Sequence, residues 1–123
     1  MAARYLISIV DDDASMREAL VGLVRSLGYE VRDFASAEDF LASSDLGQFS
    51  CAITDIQMPG MNGFELKREL STRHGSLPVI MITARAEPGI EEKAISSGAT
   101  CFLRKPFEAK TLMSCLQQVL KGA

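Results

Sequence analysis

Five short apolar runs, at residues 5–10, 30–34, 51–54, 78–83 and 101–104, alternate along the chain with segments whose apolar residues recur at helical spacing. A strand that reaches its neighbour only after a helix must run parallel to it, because antiparallel neighbours need no more than a tight turn. Five such alternations imply a parallel sheet covered by helices. The first, third and fourth runs are dominated by Ile, Val and similar residues, as inner strands buried on both faces require. Between the first two runs, Met16, Leu20, Leu23, Val24 and Leu27 form an i, i+4, i+7, i+8, i+11 stripe, one apolar face of a helix that Gly28 closes. Ser36-Ala37-Glu38-Asp39 reads as a helix cap with a carboxylate at its fourth position, opening a short helix through Leu41. Phe64, Leu66 and Leu70 mark a third helix, ended near His74-Gly75. Ile90, Ala94 and Ile95 mark a fourth, begun after Pro88-Gly89 and ended near Gly98. Leu112, Leu116, Val119 and Leu120 give the last helix its inner face.

Right-handed crossovers cover both faces of a sheet only if the chain reverses its winding direction once. The fold class expected is therefore α/β, a flavodoxin-like, doubly wound five-stranded parallel sheet in the order 2-1-3-4-5, with five helices on both faces and its switch point between the first and third strands. All 123 residues, 1–123, are expected to form a single domain. Hydrophobic content of 47% with 24% charged residues is globular rather than disordered. A net charge of −3 with no basic stripe speaks against direct binding of nucleic acid. Cys51, Cys101 and Cys115 lie far apart with no Cys-x-x-Cys, and are expected to be reduced, packed thiols in a cytoplasmic protein. No apolar stretch is long enough to span a membrane, and the first run stops at three aspartates, unlike a signal peptide.

The polar residues at the strand ends carry the chemistry. Asp11, Asp12 and Asp13 follow the first run, Asp55 ends the third before the turn-forming Pro59-Gly60, Thr83 ends the fourth, and Lys105 follows the fifth. In a parallel sheet all of these fall on the carboxyl edge, where open α/β sheets place their sites. Adjacent strands lie about 4.8 Å apart, so carboxylates from the first and third strands meet directly, whereas Lys105 starts roughly 10 Å from Asp55 and needs its long side chain to close the gap. Two carboxylates about 4 Å apart repel by roughly 4 kcal/mol at an effective dielectric near 20. A divalent cation relieves that repulsion, and hard oxygen ligands favour Mg²⁺, with Mn²⁺ also suited. Such a metal leaves positions for phosphate oxygens, so the set suits phosphoryl transfer: Asp55 as attacking group, Lys105 as counter-charge, Thr83 as hydroxyl donor. Asp13 abuts the first helix and reads as its cap, with Ser15 and Glu18 as a rival capping box. Met58 and Met61 read as core plugs, and His74 as a helix-end residue in a favourable dipole contact.

Ile9-Val10-Asp11-Asp12-Asp13, then residues 55–63 with the pattern Asp-x-x-Met-Pro-x-Met-x-Gly, then Ile82-Thr83-Ala84 and Lys105-Pro106-Phe107, resemble the receiver (CheY-like) domains of two-component response regulators. The resemblance covers essentially the whole chain, in order. It implies that Asp55 is the phosphoacceptor, that Asp11 and Asp12 form the acidic pair with Asp12 the direct Mg²⁺ ligand, and that the backbone carbonyl of Gln57 completes the metal site with Asp55. It further implies that Thr83 and Lys105 are the signalling hydroxyl and the essential lysine, that the Lys105–Pro106 bond is cis, and that Phe102 is the switch aromatic. Phe102 is equally accounted for as a plain strand aromatic. Gln57 and Arg85 fall on the two variable positions that tune phosphoryl lifetime in such domains. The implied partner is a sensor histidine kinase, and the implied response is a shift of the face formed by the fourth helix, fifth strand and fifth helix, with a homodimer on phosphorylation. Residues 29–41 resemble the receivers of FixJ-type transcriptional regulators, which carry a DNA-binding output domain after the receiver; none is present in this chain, which is expected to be either an excised receiver, as the abrupt end at Lys121-Gly122-Ala123 favours, or a stand-alone one, and to meet DNA only through such a domain.

Two rivals are weaker. A haloacid-dehalogenase-type phosphatase also uses a strand-end Asp but wants a second acid two residues on, where this chain has Gln57. A flavodoxin-like electron carrier needs a first loop that cradles phosphate, and three aspartates there repel an anion.

Overall fold

The computed structural model describes residues 5–85 and 87–121. Among them are five strands, β1 (Leu6–Val10), β2 (Glu30–Phe34), β3 (Cys51–Asp55), β4 (Val79–Thr83) and β5 (Cys101–Arg104). Five helices alternate with them: α1 (Ala14–Ser26), α2 (Ala37–Leu41), α3 (Gly63–Arg73), α4 (Ile90–Ser96) and α5 (Ala109–Lys121). The strands are all parallel, in the order β2-β1-β3-β4-β5, which is the doubly wound topology expected from the sequence.

Alternate residues of the inner strands feed two separate apolar layers. Ala52, Val79 and Met81 face α2, α3 and α4 with Phe40, Leu66, Leu70 and Ala94. Cys51, Ile53, Ile80 and Ile82 face α1 and α5 with Leu20, Val24, Leu112 and Leu116. Each fully buried aliphatic side chain contributes about 1.5–3 kcal/mol relative to an exposed one, so both faces of β1, β3 and β4 are held firmly and their carboxyl ends are fixed in space.

Local sequence sets the helix boundaries. Asp13 caps α1, its Oδ1 accepting the N–H groups of Ser15 and Met16 at 3.0 and 3.2 Å, so Asp13 rather than Ser15 starts this helix. Gly28 follows α1 with φ +97°, a backbone conformation that only glycine adopts at little cost. Ser36 caps α2 by accepting the N–H of Asp39. Asn62 and Glu65 form a reciprocal capping box at the start of α3, with bonds of 2.9 and 3.0 Å.

Two expectations need correction. Ile95 is 51% exposed rather than on the inner face of α4. Ile90 and Ala94 are one turn apart and both buried, and the residue after Ala94 lies about 100° further round the helix, which turns it outward. Cys101 and Cys115 are not free thiols: they form a disulfide with Cα atoms 6.3 Å apart, tying β5 to α5. Cys101 packs on the α1 and α5 face of the sheet and Cys115 on the inner side of α5, so the fold brings together two residues that the spacing gave no reason to pair. Cys51 stays a buried thiol, and desolvation pushes its pKa up to about 12.

Candidate functional site

Strand register builds the site. Val10 pairs with Thr54 in the β1–β3 ladder, so the residues that follow them, Asp11 and Asp55, emerge side by side. Thr83 pairs with Arg104, and the N–H of Lys105 donates to the Thr83 carbonyl at 2.8 Å, which starts the Lys105 side chain at the same edge. Its ammonium crosses β4 and donates to Asp11 Oδ2 at 3.1 Å and Asp55 Oδ2 at 3.2 Å. The bond from Lys105 to Pro106 is cis. Asp11 is almost fully buried, and its other oxygen, Oδ1, accepts the N–H of Asp13 at 3.0 Å. Asp12 is exposed. Arg17 steadies this corner, donating to the Asp11 carbonyl at 2.8 Å and pairing with Asp33 at 2.9 Å.

One ammonium between two carboxylates leaves a net negative charge. Burial raises the pKa of Asp55, the Lys105 charge and hydrogen bond oppose that, and the Asp11 charge adds to it; the outcome is above the ordinary value. For Lys105, burial pulls its pKa down, but the hydrogen bond to Asp11 and the charges of both carboxylates outweigh it, leaving it raised. The two shifts agree physically, since surplus anionic charge disfavours a second carboxylate and favours the ammonium.

The donor set fits a hard divalent cation. Asp11, Asp12 and Asp55 each offer an oxygen, all within 4.8 Å of one another, with no sulfur or imidazole in the group. Both oxygens of Asp11 are engaged with Asp13 and Lys105, so Asp12 is the carboxylate most open to direct ligation beside Asp55. Gln57 touches the site through its N–H, which donates to Asp55 Oδ1 at 3.3 Å.

Thr83 is fully buried at the end of β4. Its hydroxyl donates to Gln57 Oε1 at 2.6 Å and accepts the N–H of Arg85 at 3.1 Å. Phe102 is half-buried against the α2, α3 and α4 layer, and the Arg104 guanidinium lies 5.4 Å from its ring centre. Met58 is buried and Met61 packs against the same layer, as expected of core plugs. His74 ends α3, beyond reach of this edge.

The loop after Asp55 is held by contacts that the sequence pattern does not specify. A Cβ on Gly63 would lie 2.7 Å from the Asp55 carbonyl oxygen and 3.0 Å from Ile56 Cα, so the start of α3 packs directly on the backbone that carries Asp55. Glu38 of α2 accepts the N–H of Met61 at 3.2 Å. The Asn62-x-x-Glu65 spacing was the available signal for the capping box; nothing local points to Glu38, or to the bond between Gln57 and Thr83, which joins residues 26 apart. A cavity of about 750 Å³ opens beside Asp12, lined among others by Gln57, Asn62, Arg85 and Lys93.

Comparison with known proteins bears on what this edge does. A family model described as the response regulator receiver domain matches residues 7–117. The chain is 40% identical over 120 residues to the response regulator protein TmoT of Ectopseudomonas mendocina, covering 96% of this chain and 54% of TmoT. It is 32% identical over 123 residues to the transcriptional regulatory protein FixJ of Bradyrhizobium diazoefficiens, covering 100% of this chain and 60% of FixJ. The crystal structure of FixJ-N superposes with a TM-score of 0.90 at 30% identity, over 99% of this chain and 98% of that one. The chain thus spans little more than half the length of the curated relatives it matches. No helix among the described residues is long and apolar enough to cross a membrane.

Proposed function

Since this chain belongs to the response regulator receiver domains, the phosphorylation-dependent switches of two-component systems, we propose that Asp55 is its phosphoacceptor and that a sensor histidine kinase is the donor. The observation that carries this reading is Lys105 reaching across β4 to lie 3.2 Å from Asp55, beside the Asp11 and Asp12 carboxylates. In the transfer, an Asp55 oxygen attacks phosphorus in line, an O–P bond forms, and the P–N bond to the donor histidine breaks. Asp12 and Asp55, with the Gln57 carbonyl and with Asp11 completing the acidic cluster, would hold Mg²⁺, or Mn²⁺ in its place. When bound, the ion supplies charge neutralisation at the phosphoryl oxygens. Lys105 neutralises a further oxygen, and the Thr83 hydroxyl donates to another. The only chemistry is on Asp55 itself, its phosphorylation and its later hydrolysis, so the domain acts as a signalling switch.

The added phosphoryl group brings roughly two negative charges to the end of β3. Thr83 moves toward it, and Phe102 turns into the space that Thr83 leaves. The face made by α4, β5 and α5 then changes shape, and the shift is as large as the difference in stability that the phosphoryl group creates between the two states. This face is where a second phosphorylated copy or an output domain docks, and control of transcription, the role in the names of the relatives FixJ and TdiR, runs through such a domain. The protein works in the cytoplasm, and residues 1–123 act as one receiver unit. Incubation with acetyl phosphate and Mg²⁺ tests the reading: the wild type incorporates one phosphoryl group and Asp55→Asn none. Labelling that persists in Asp55→Asn would refute it. Thr83→Ala is expected to accept the group yet respond more weakly in conformation.

A further inference from the structure

Thr83 is the end of β4 nearest to Asp55, and its one hydroxyl proton is already engaged. A hydroxyl has one proton to give. With the Arg85 N–H filling a lone pair at 3.1 Å, the Thr83 proton goes to Gln57 Oε1 at 2.6 Å, in a setting where Thr83 has no exposure to water. Gln57 meanwhile offers its backbone N–H to Asp55 Oδ1 at 3.3 Å. One residue therefore touches both the carboxylate that receives the phosphoryl group and the hydroxyl that senses it.

From this geometry we propose that Gln57 is a positioning residue, a latch that holds the Thr83 hydroxyl in its resting orientation and competes with the phosphoryl group for its single proton. The proposal deepens the reading of Asp55 as phosphoacceptor and rests on it. Thr83 cannot donate to Gln57 and to a phosphoryl oxygen at once, so the response includes the loss of this hydrogen bond. The bond to Gln57 stabilises the resting state alone. It thereby lowers the fraction of molecules in the responsive state before phosphorylation, and a ligand that needs the responsive state binds more weakly by that fraction. A neutral hydrogen bond of this kind shifts an equilibrium by about twofold to tenfold. The side chain at position 57 thus sets how readily Thr83 leaves, a role apart from any contact it makes with solvent or donor.

Two double-mutant cycles test the latch with Gln57→Met, which keeps the length of the side chain and removes its oxygen, and Thr83→Val, which keeps the shape and removes the hydroxyl. In the unphosphorylated protein, urea unfolding is expected to show the two substitutions coupled by about twofold to tenfold in the unfolding constant. Gln57→Glu, which retains an acceptor oxygen at similar reach, should keep that coupling. Simple additivity would overturn the hydrogen bond as an energetic link. The second cycle measures the affinity for beryllofluoride, a tetrahedral phosphoryl mimic, in the presence of Mg²⁺. Gln57→Met should bind it about twofold to tenfold more tightly than the wild type, and the gain should vanish in the Thr83→Val background. Affinity indifferent to Gln57→Met, or a gain that survives loss of the Thr83 hydroxyl, would overturn the latch. Failure of the wild type itself to bind beryllofluoride despite coupling in the first cycle would instead sink the phosphoacceptor reading, and with it the competition.

Discussion

Lys105 lies 3.1 Å from Asp11 and 3.2 Å from Asp55, so one ammonium serves two carboxylates, and a third, Asp12, stands close by. Asp55 is held above its ordinary pKa, chiefly by burial. An acid with a raised folded-state pKa contributes its full stability below its unfolded pKa, and loses it as pH rises through the folded value. Metal-free protein is therefore less stable at neutral pH than it would be with a neutral group at position 55. Asp55→Asn is expected to raise the urea midpoint of metal-free protein at pH 7, with an advantage over the wild type that shrinks as the pH falls toward 4. Urea titrations of both proteins at several pH values check this. A variant less stable than the wild type at pH 7 would mean that Lys105 fully compensates Asp55. A strand-end carboxylate that costs stability in this way is a candidate for a chemical role rather than a structural one.

At the scale of the elements, the disulfide between Cys101 and Cys115 joins β5 to α5 across a sequence separation of 14. Closing a loop of that size limits the unfolded chain by about 3 kcal/mol. Reduction with a dithiol should lower the unfolding free energy by that order, and the double variant Cys101→Ser, Cys115→Ser should behave like the reduced wild type; an unchanged midpoint would contradict the crosslink. The five strands and the apolar stripes of α1 and α5 were legible in the sequence because parallel strands buried on both faces leave unbroken apolar runs, and long helices repeat their pattern several times. The short α4 was legible in place but not in facing: one turn of pattern cannot tell Ile95 from Ala94, and only packing on the sheet decides it. The convergence of Asp11, Asp12, Asp55, Thr83 and Lys105 on one edge followed from strand order alone. The pairing of Cys101 with Cys115, the reach of Glu38 to Met61, and the grip of Gln57 on Thr83 did not, because each joins residues that are distant in sequence through side chains whose directions only the folded chain fixes.

For the molecule as a whole, a site with surplus negative charge couples cation binding to stability. Anything that binds the folded chain and not the unfolded one stabilises it by about 2.7 kcal/mol at a hundredfold excess over its dissociation constant. Mg²⁺ should therefore raise the unfolding midpoint where a monovalent salt of equal ionic strength does not, and Asp12→Asn should blunt the effect. Equal responses to the two salts would point to general screening rather than a site. The strand-end edge is joined directly to β5, since Lys105 follows β5 and Thr83 pairs with its last residue. The identity of the residue that carries the phosphoryl group decides the function most directly. An acyl phosphate on an aspartate is reduced by borohydride to homoserine, which marks the residue permanently. After treatment with acetyl phosphate and Mg²⁺ and then borohydride, peptide mass spectrometry is predicted to find homoserine at position 55. Homoserine at another aspartate, or unmodified Asp55 in protein that carries phosphate elsewhere, would contradict the account.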